Sequence, residues 1–88
     1  MLPFCLKEAR LKAKLSQQRL GVLAGIDEAT ASARMNQYER GVHTPDFDLA
    51  CRLAAVLNIP VSYFYTVEDD LADMILNYRA AMDKASQL

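Results

Sequence analysis

The sequence predicts an all-α fold, and three observations predict it. Apolar residues recur at helical spacing in several segments, no strand-like alternation of useful length occurs, and short cap and turn signals separate the segments. The 88 residues make one small domain. A chain this short buries only about 60% of its unfolded surface, so its core has little slack.

Each element follows from local signals. Leu2, Leu6, Ala9 and Ala13 share one helical face, which predicts a first helix from about Cys5 to Lys14. Ser16 is placed to cap a second helix, Gln17 to Ala24, with Leu20, Leu23 and Ala24 inward. Gly25 ends it, because glycine tolerates the left-handed backbone of a sharp turn, and Ile26 plugs the turn. Asp27 is positioned to cap a third helix that carries Ala31, Met35 and Tyr38 inward and stops at Gly41. Thr44 as cap and Pro45 at the first helical position predict a fourth helix. Its expected inner face is Phe47, Ala50, Cys51, Ala54 and Leu57, and it ends at Asn58 before Pro60. A short helical turn capped by Ser62 is expected to bury Tyr63, Phe64 and Tyr65. Thr66 to Asp69 resembles a capping box and opens a last helix reaching about Ala85.

Composition narrows the function classes. A hydrophobic fraction of 52% suffices for a small core, and no apolar run approaches the roughly 20 residues needed to cross a bilayer. The start, Met1 to Phe4, lacks the layout of a secretory signal, so a cytoplasmic location is expected. Cys5 and Cys51 have no metal-ligand or redox-motif spacing and read as small buried hydrophobes. The one histidine, His43, lies in a loop, and there is no glycine-rich phosphate cradle. These absences argue against an enzyme, and no cofactor, metal or small-molecule ligand is expected. The net charge of −1 conceals an asymmetry. Residues 1–43 carry seven basic residues against four acidic, a balance of +3, whereas residues 44–88 carry three against seven, a balance of −4. Such a division suits a half that faces a polyanion and a half that does something else; two ordinary solvated faces would also produce it.

A helix, a tight turn and a second helix carry the functional signal. Gly21 and Gly25 allow the two helices to cross closely. The face of the second helix opposite Met35 and Tyr38 then exposes Ser32, Arg34 and Gln37, with Asn36 at its margin. Arginine can grip guanine O6 and N7, and glutamine adenine N6 and N7, each by two hydrogen bonds. Gln17 and Gln18 open the preceding helix, where amide donors suit a phosphate. Arg40 and His43 adjoin the turn after the second helix, within reach of a backbone. Any of these side chains can also be simply solvated.

At these positions the chain resembles the Cro/CI-type, XRE-like helix-turn-helix repressors. The matching residues are Leu6-Lys7-Glu8-Ala9-Arg10, Leu15-Ser16-Gln17 with Leu20, Gly25-Ile26, Tyr38-Glu39-Arg40-Gly41, Pro45, and Leu53 through Leu57-Asn58-Ile59-Pro60-Val61. The resemblance implies a compact five-helix, lambda-repressor-like bundle over residues 1–65, with its third helix in the major groove of double-stranded DNA, commonly as a dimer. It implies that Gln17 holds phosphate, that Arg34 and Gln37 read bases, that Ser32 and Ala33 sit near the groove floor, and that Arg10 pairs with Glu39. Gly21 stands where the family usually has alanine. The stretch from Gly25 to Gly41 is also about four residues, or one helical turn, longer than the common pattern. Either the third helix gains an N-terminal turn, or Asp27 to Ala31 form a separate one. Anchoring at Gly25 would bring Glu28, Ala29 and Thr30 to DNA; anchoring at Glu39-Arg40-Gly41 favours Ser32 to Gln37, because a carboxylate repels phosphate.

The final helix, residues 66–88, carries Leu71, Ile75, Tyr78 and Met82 as an apolar stripe on an acidic helix. The stripe folds back on the bundle or pairs with a second copy, and a homodimer is the expected state. Met35, Met74 and Met82 read as core or interface fillers. The leading function is a transcription regulator, a repressor of bacterial prophage or mobile-element type. The alternative is an antitoxin-like or adaptor module whose acidic last helix binds a protein partner.

Overall fold

The computed structural model describes residues 1–87. Five α-helices and one 3₁₀ turn follow in order: α1 (Pro3–Lys12), α2 (Gln17–Leu23), α3 (Glu28–Glu39), α4 (Phe47–Leu57), the 3₁₀ turn (Val61–Tyr65) and α5 (Asp69–Ser86). No strand occurs among the described residues, as the sequence predicts. Leu6, Leu20, Met35, Leu53 and Phe64 are the largest fully buried side chains, so each of the first five elements contributes one anchor to a single core.

α1 begins two residues earlier than expected. Pro3 sits in its first turn, where a missing N–H costs nothing, and the Leu2 N–H donates to the Phe64 carbonyl at 2.7 Å. It stops before Lys14, which adopts a left-handed backbone with φ 59°. The Ser16 hydroxyl accepts from the Arg19 N–H at 3.0 Å, the expected cap of α2. α3 is one continuous helix, so the additional turn extends it. Asp27 stands at its N-cap, but its side chain makes no capping bond; its carbonyl accepts instead from the Thr30 N–H and hydroxyl.

The start of α4 departs from expectation. Asp46, not Thr44, caps it: the carboxylate accepts from the Leu49 N–H at 2.8 Å, and Pro45 lies buried outside the helix. Packing turns Leu49, Ala50, Leu53 and Ala54 inward, leaving Phe47 exposed and Cys51 and Leu57 half-buried. Asn58 closes α4 in the left-handed region at φ 55°. Its side chain accepts from Arg79 at 3.1 Å and donates to Asp83, which ties the end of α4 to α5. Ser62 caps nothing; Pro60 precedes the 3₁₀ turn, and the Ser62 carbonyl accepts from the Thr66 hydroxyl. That engagement removes Thr66 as a cap, so α5 starts after Glu68 without a capping box. Tyr63 and Phe64 are buried and Tyr65 is exposed. α5 presents Ala72, Ile75 and Leu76 to the core; Leu71, Met74, Tyr78 and Met82 face out.

Cys5 and Tyr63 meet beneath the junction of α1 and α5. Burial pushes the Cys5 thiol above its ordinary value of 9.0, opposed by a hydrogen bond from Tyr63 and reinforced by Glu8 and Asp69. Burial likewise pushes the Tyr63 hydroxyl up to about 12, helped by Cys5, Glu8 and Asp73. Both groups are acids with raised folded values, so the folded state holds their protons longer than the unfolded chain. The stability linked to Tyr63 is therefore complete below its ordinary value of 10.0 and disappears as pH rises toward 12. Urea titrations should show stability falling through this range, with the fall much reduced in Tyr63→Phe.

Candidate nucleic-acid interface

The interface is built where α2 and α3 cross. A Cβ added at Gly21 would stand 3.0 Å from the Ala31 Cβ and 3.1 Å from the Met35 Cγ, so the two helices approach more closely there than a side chain allows. Gly25 takes φ 95° and turns the chain out of α2. Ile26 is buried as the plug, and the Ile26 N–H returns to the Gly21 carbonyl at 2.9 Å. Arg52 of α4 donates to the Ala24 carbonyl at 2.8 Å and pins the turn from outside. Sequence reasoning misses this role, because an isolated arginine on α4 carries no local signal.

The far end of α3 is fixed by charge. The Arg10 guanidinium grips Glu39 through two bonds of 2.6 and 3.0 Å, with the two side chains only 11% and 3% exposed. Arg10 also donates to the Leu15 carbonyl, and Gln17 donates to Glu39 at 3.2 Å. The pair expected from the resemblance thus ties together α1, the loop before α2, the first residue of α2 and the last residue of α3. Gln17 is half-buried and engaged with Glu39, whereas Gln18 is exposed. Beyond α3, the Gln37 carbonyl accepts from the Val42 and His43 N–H groups, and Gly41 turns at φ 75°. A Cβ at Gly41 would come within 3.2 Å of Pro3.

With Ala31, Met35 and Tyr38 buried, about 3.6 residues per turn put Ala29, Ala33, Asn36 and Arg40 on the outward line of α3. Ser32 borders that line on the side of Glu28 and Glu39, and Gln37 borders it on the other; Ser32 is exposed and Gln37 half-buried. Arg34 lies further round. It is exposed, but its guanidinium donates to the Tyr38 hydroxyl at 2.7 Å and sits 5.8 Å from the Tyr38 ring. The structure therefore brings Ser32, Ala33, Asn36, Gln37 and Arg40 to one surface and holds Arg34 at its edge. His43 is exposed in the following loop. Because α3 starts directly after the turn, Glu28, Ala29 and Thr30 extend the same exposed surface, and Arg19 and Gln18 line a recess beside Glu28. Counting forward from Gly25 finds these residues; counting back from Gly41 does not. Among the described residues, no group of three His, Cys, Asp or Glu could hold a metal ion.

Two substitutions test this framework. Glu39→Ala leaves the Arg10 guanidinium buried without its partner and should cost about 3–5 kcal/mol in urea unfolding. Gly21→Val forces α2 and α3 apart and should cost roughly 1–3 kcal/mol, more than its side chain gains in helix propensity.

Comparison with known proteins agrees with this geometry. A family model described as helix-turn-helix matches residues 6–64. The crystal structure of the transcriptional regulator BswR superposes with a TM-score of 0.85 at 44% sequence identity, covering 100% of this chain and 95% of that one. No curated protein matches the sequence. With a family model spanning more than half of its length and the crossing of α2 and α3 in place, this chain belongs to the XRE-type, Cro/CI-like helix-turn-helix family.

Proposed function

We propose that this chain is a sequence-specific DNA-binding transcription regulator, a repressor of bacterial prophage or mobile-element type that works in the cytoplasm as a homodimer. The observation that carries the reading is the outward surface of α3. It is continuous, exposed and built from small or hydrogen-bonding side chains, and its two ends are fixed by the Gly25 turn and by Arg10–Glu39. Family membership and the likeness to a transcriptional regulator support DNA-binding transcription regulation rather than an enzyme's activity. No helix of the described chain is long and apolar enough to cross a membrane.

In this reading α3 enters the major groove. Ala29 and Ala33 let its backbone approach the base edges, Ser32 adds a short hydroxyl, and Asn36 and Gln37 each offer an amide able to grip adenine at two points. Arg34 reaches bases or the adjoining phosphates from the edge of the surface on leaving the Tyr38 hydroxyl. Gln17, Gln18, Arg19, Arg40 and His43 border the helix and contact the sugar–phosphate backbone, which fixes register without reading sequence. Residues 1–65 form the DNA-binding part and residues 66–88 the dimerising part. One copy measures 40 × 28 × 22 Å. Two copies side by side can therefore present their α3 helices about 34 Å apart, one turn of DNA.

Fluorescence anisotropy with DNA from upstream of the protein's own coding sequence, over a salt series, tests the reading. Specific binding should be near 10⁻⁸ M or tighter, on the order of other regulators, with a steep salt slope. Asn36→Ala, Gln37→Ala and Arg34→Ala should each cost about 1–3 kcal/mol on the specific site and little on random DNA, whereas Arg19→Ala should weaken both alike. Weak binding to every sequence, unchanged by all four substitutions, would sink the operator reading.

A further inference from the structure

α5 leaves a large apolar face without cover. Leu71 is 44% exposed, Met74 66%, Tyr78 63% and Met82 49%, while Ile75 divides itself between this face and the core. The outward position is enforced by the Asn58 bonds to Arg79 and Asp83 and by the burial of Ala72, which fix the rotation of the helix on the bundle. A contiguous apolar surface of this kind is uncommon on a protein that works alone.

The spacing and the charges along α5 say what fits it. Leu71, Ile75, Tyr78 and Met82 are separated by four, three and four residues, an order that reads the same from either end. A twofold axis crossing the helix between Leu76 and Asn77 therefore sets Leu71 against Met82 of the second copy and Ile75 against Tyr78 of the second copy. Charge selects the same direction. The beginning of the helix carries Glu68, Asp69, Asp70 and Asp73, a charge of −4, and its later half carries Arg79 and Lys84 against Asp83, a charge of +1. A parallel pair would align acid with acid, whereas an antiparallel pair lays the acidic beginning of each helix beside the basic end of the other and also opposes the helix dipoles favourably. An isologous interface needs this self-complementarity.

We infer that the occupant of this face is the α5 helix of a second copy of the chain, docked antiparallel about a twofold axis between Leu76 and Asn77. The inference rests on the homodimer proposed above and specifies the surface that holds it together. It also predicts which residues meet across that surface.

Sedimentation equilibrium of the full chain under reducing conditions, with no DNA present, tests this separately from operator binding. Wild type should be dimeric. Leu71→Lys and Met82→Glu, each at an exposed position and each checked for unchanged helical content by circular dichroism, should each raise the dimer dissociation constant by roughly a hundredfold, because a charge then faces an apolar side chain twice per dimer. Mixing the two variants should restore a dimer. The heterodimer sets the introduced lysine of one variant chain against the introduced glutamate of the other and keeps one native contact between Leu71 and Met82. A parallel pair would show no such rescue. A monomeric wild type, variants that remain dimeric, or a mixture that stays monomeric would each overturn the arrangement, and none of these bears on whether α3 binds DNA.

Discussion

The buried contact between Arg10 and Glu39 is the constraint on which the arrangement of the first three helices depends. A guanidinium and a carboxylate withdrawn from water are tolerated when they are paired and further hydrogen-bonded, and here the Leu15 carbonyl adds a bond to Arg10 and the Gln17 amide one to Glu39. Each additional partner comes from a different stretch of chain. Satisfying one ion pair therefore fixes where α1 ends, how α2 begins and where α3 stops. Hydrophobic burial supplies most of the driving force but little direction; this directional contact supplies the geometry.

A second constraint acts at the opposite end of α3. The contact of Gly21 with Ala31 and Met35, together with the left-handed Gly25, sets where α3 can begin. Both ends being pinned, all the residues from Glu28 to Glu39 are accommodated between them. They form one regular helix, since Glu28 to Glu39 contain neither proline nor glycine to break it. The exposed surface of α3 consequently begins directly after the turn, with Glu28, Ala29 and Thr30. Arg34 lies off the centre of that surface because of its place in the helical repeat, and from there its guanidinium reaches the Tyr38 hydroxyl one turn on.

The charge division along the chain also acquires a spatial meaning. Arg19, Arg34 and Arg40 border the exposed surfaces of α2 and α3, whereas Asp69, Asp70 and Asp73 crowd the start of α5. Acidic residues in the first turn of a helix are favourable to its dipole, so they stabilise α5 locally as well as keeping the anionic half apart from the cationic one. Asn58 joins the two halves. A left-handed backbone frees its side chain to reach Arg79 and Asp83, and one residue both ends α4 and orients α5.

The sequence by itself determined the all-helical class, the existence of each element, the Ser16 cap, the Gly25 and Gly41 turns and the inward face of α3. These are local matters: periodicity, capping and left-handed backbone act within a few residues. On α2 the sequence placed Leu20 and Ala24 correctly, but Leu23, expected inward, is exposed because Gly21 takes the close contact with α3. The pairing of Arg10 with Glu39 was legible only through the family pattern, since the two lie far apart in the chain. Tertiary structure alone decided the rest. Asp46 displaced Thr44 as the cap of α4, and packing of Leu49, Leu53 and Ala54 into the core turned Phe47 outward. The Ser62 carbonyl claimed Thr66 and removed a capping box. Arg52 reached across to the carbonyl of Ala24. In each case side chains with several admissible partners chose among them according to which groups packing brought within reach, and spacing along a chain does not encode that choice.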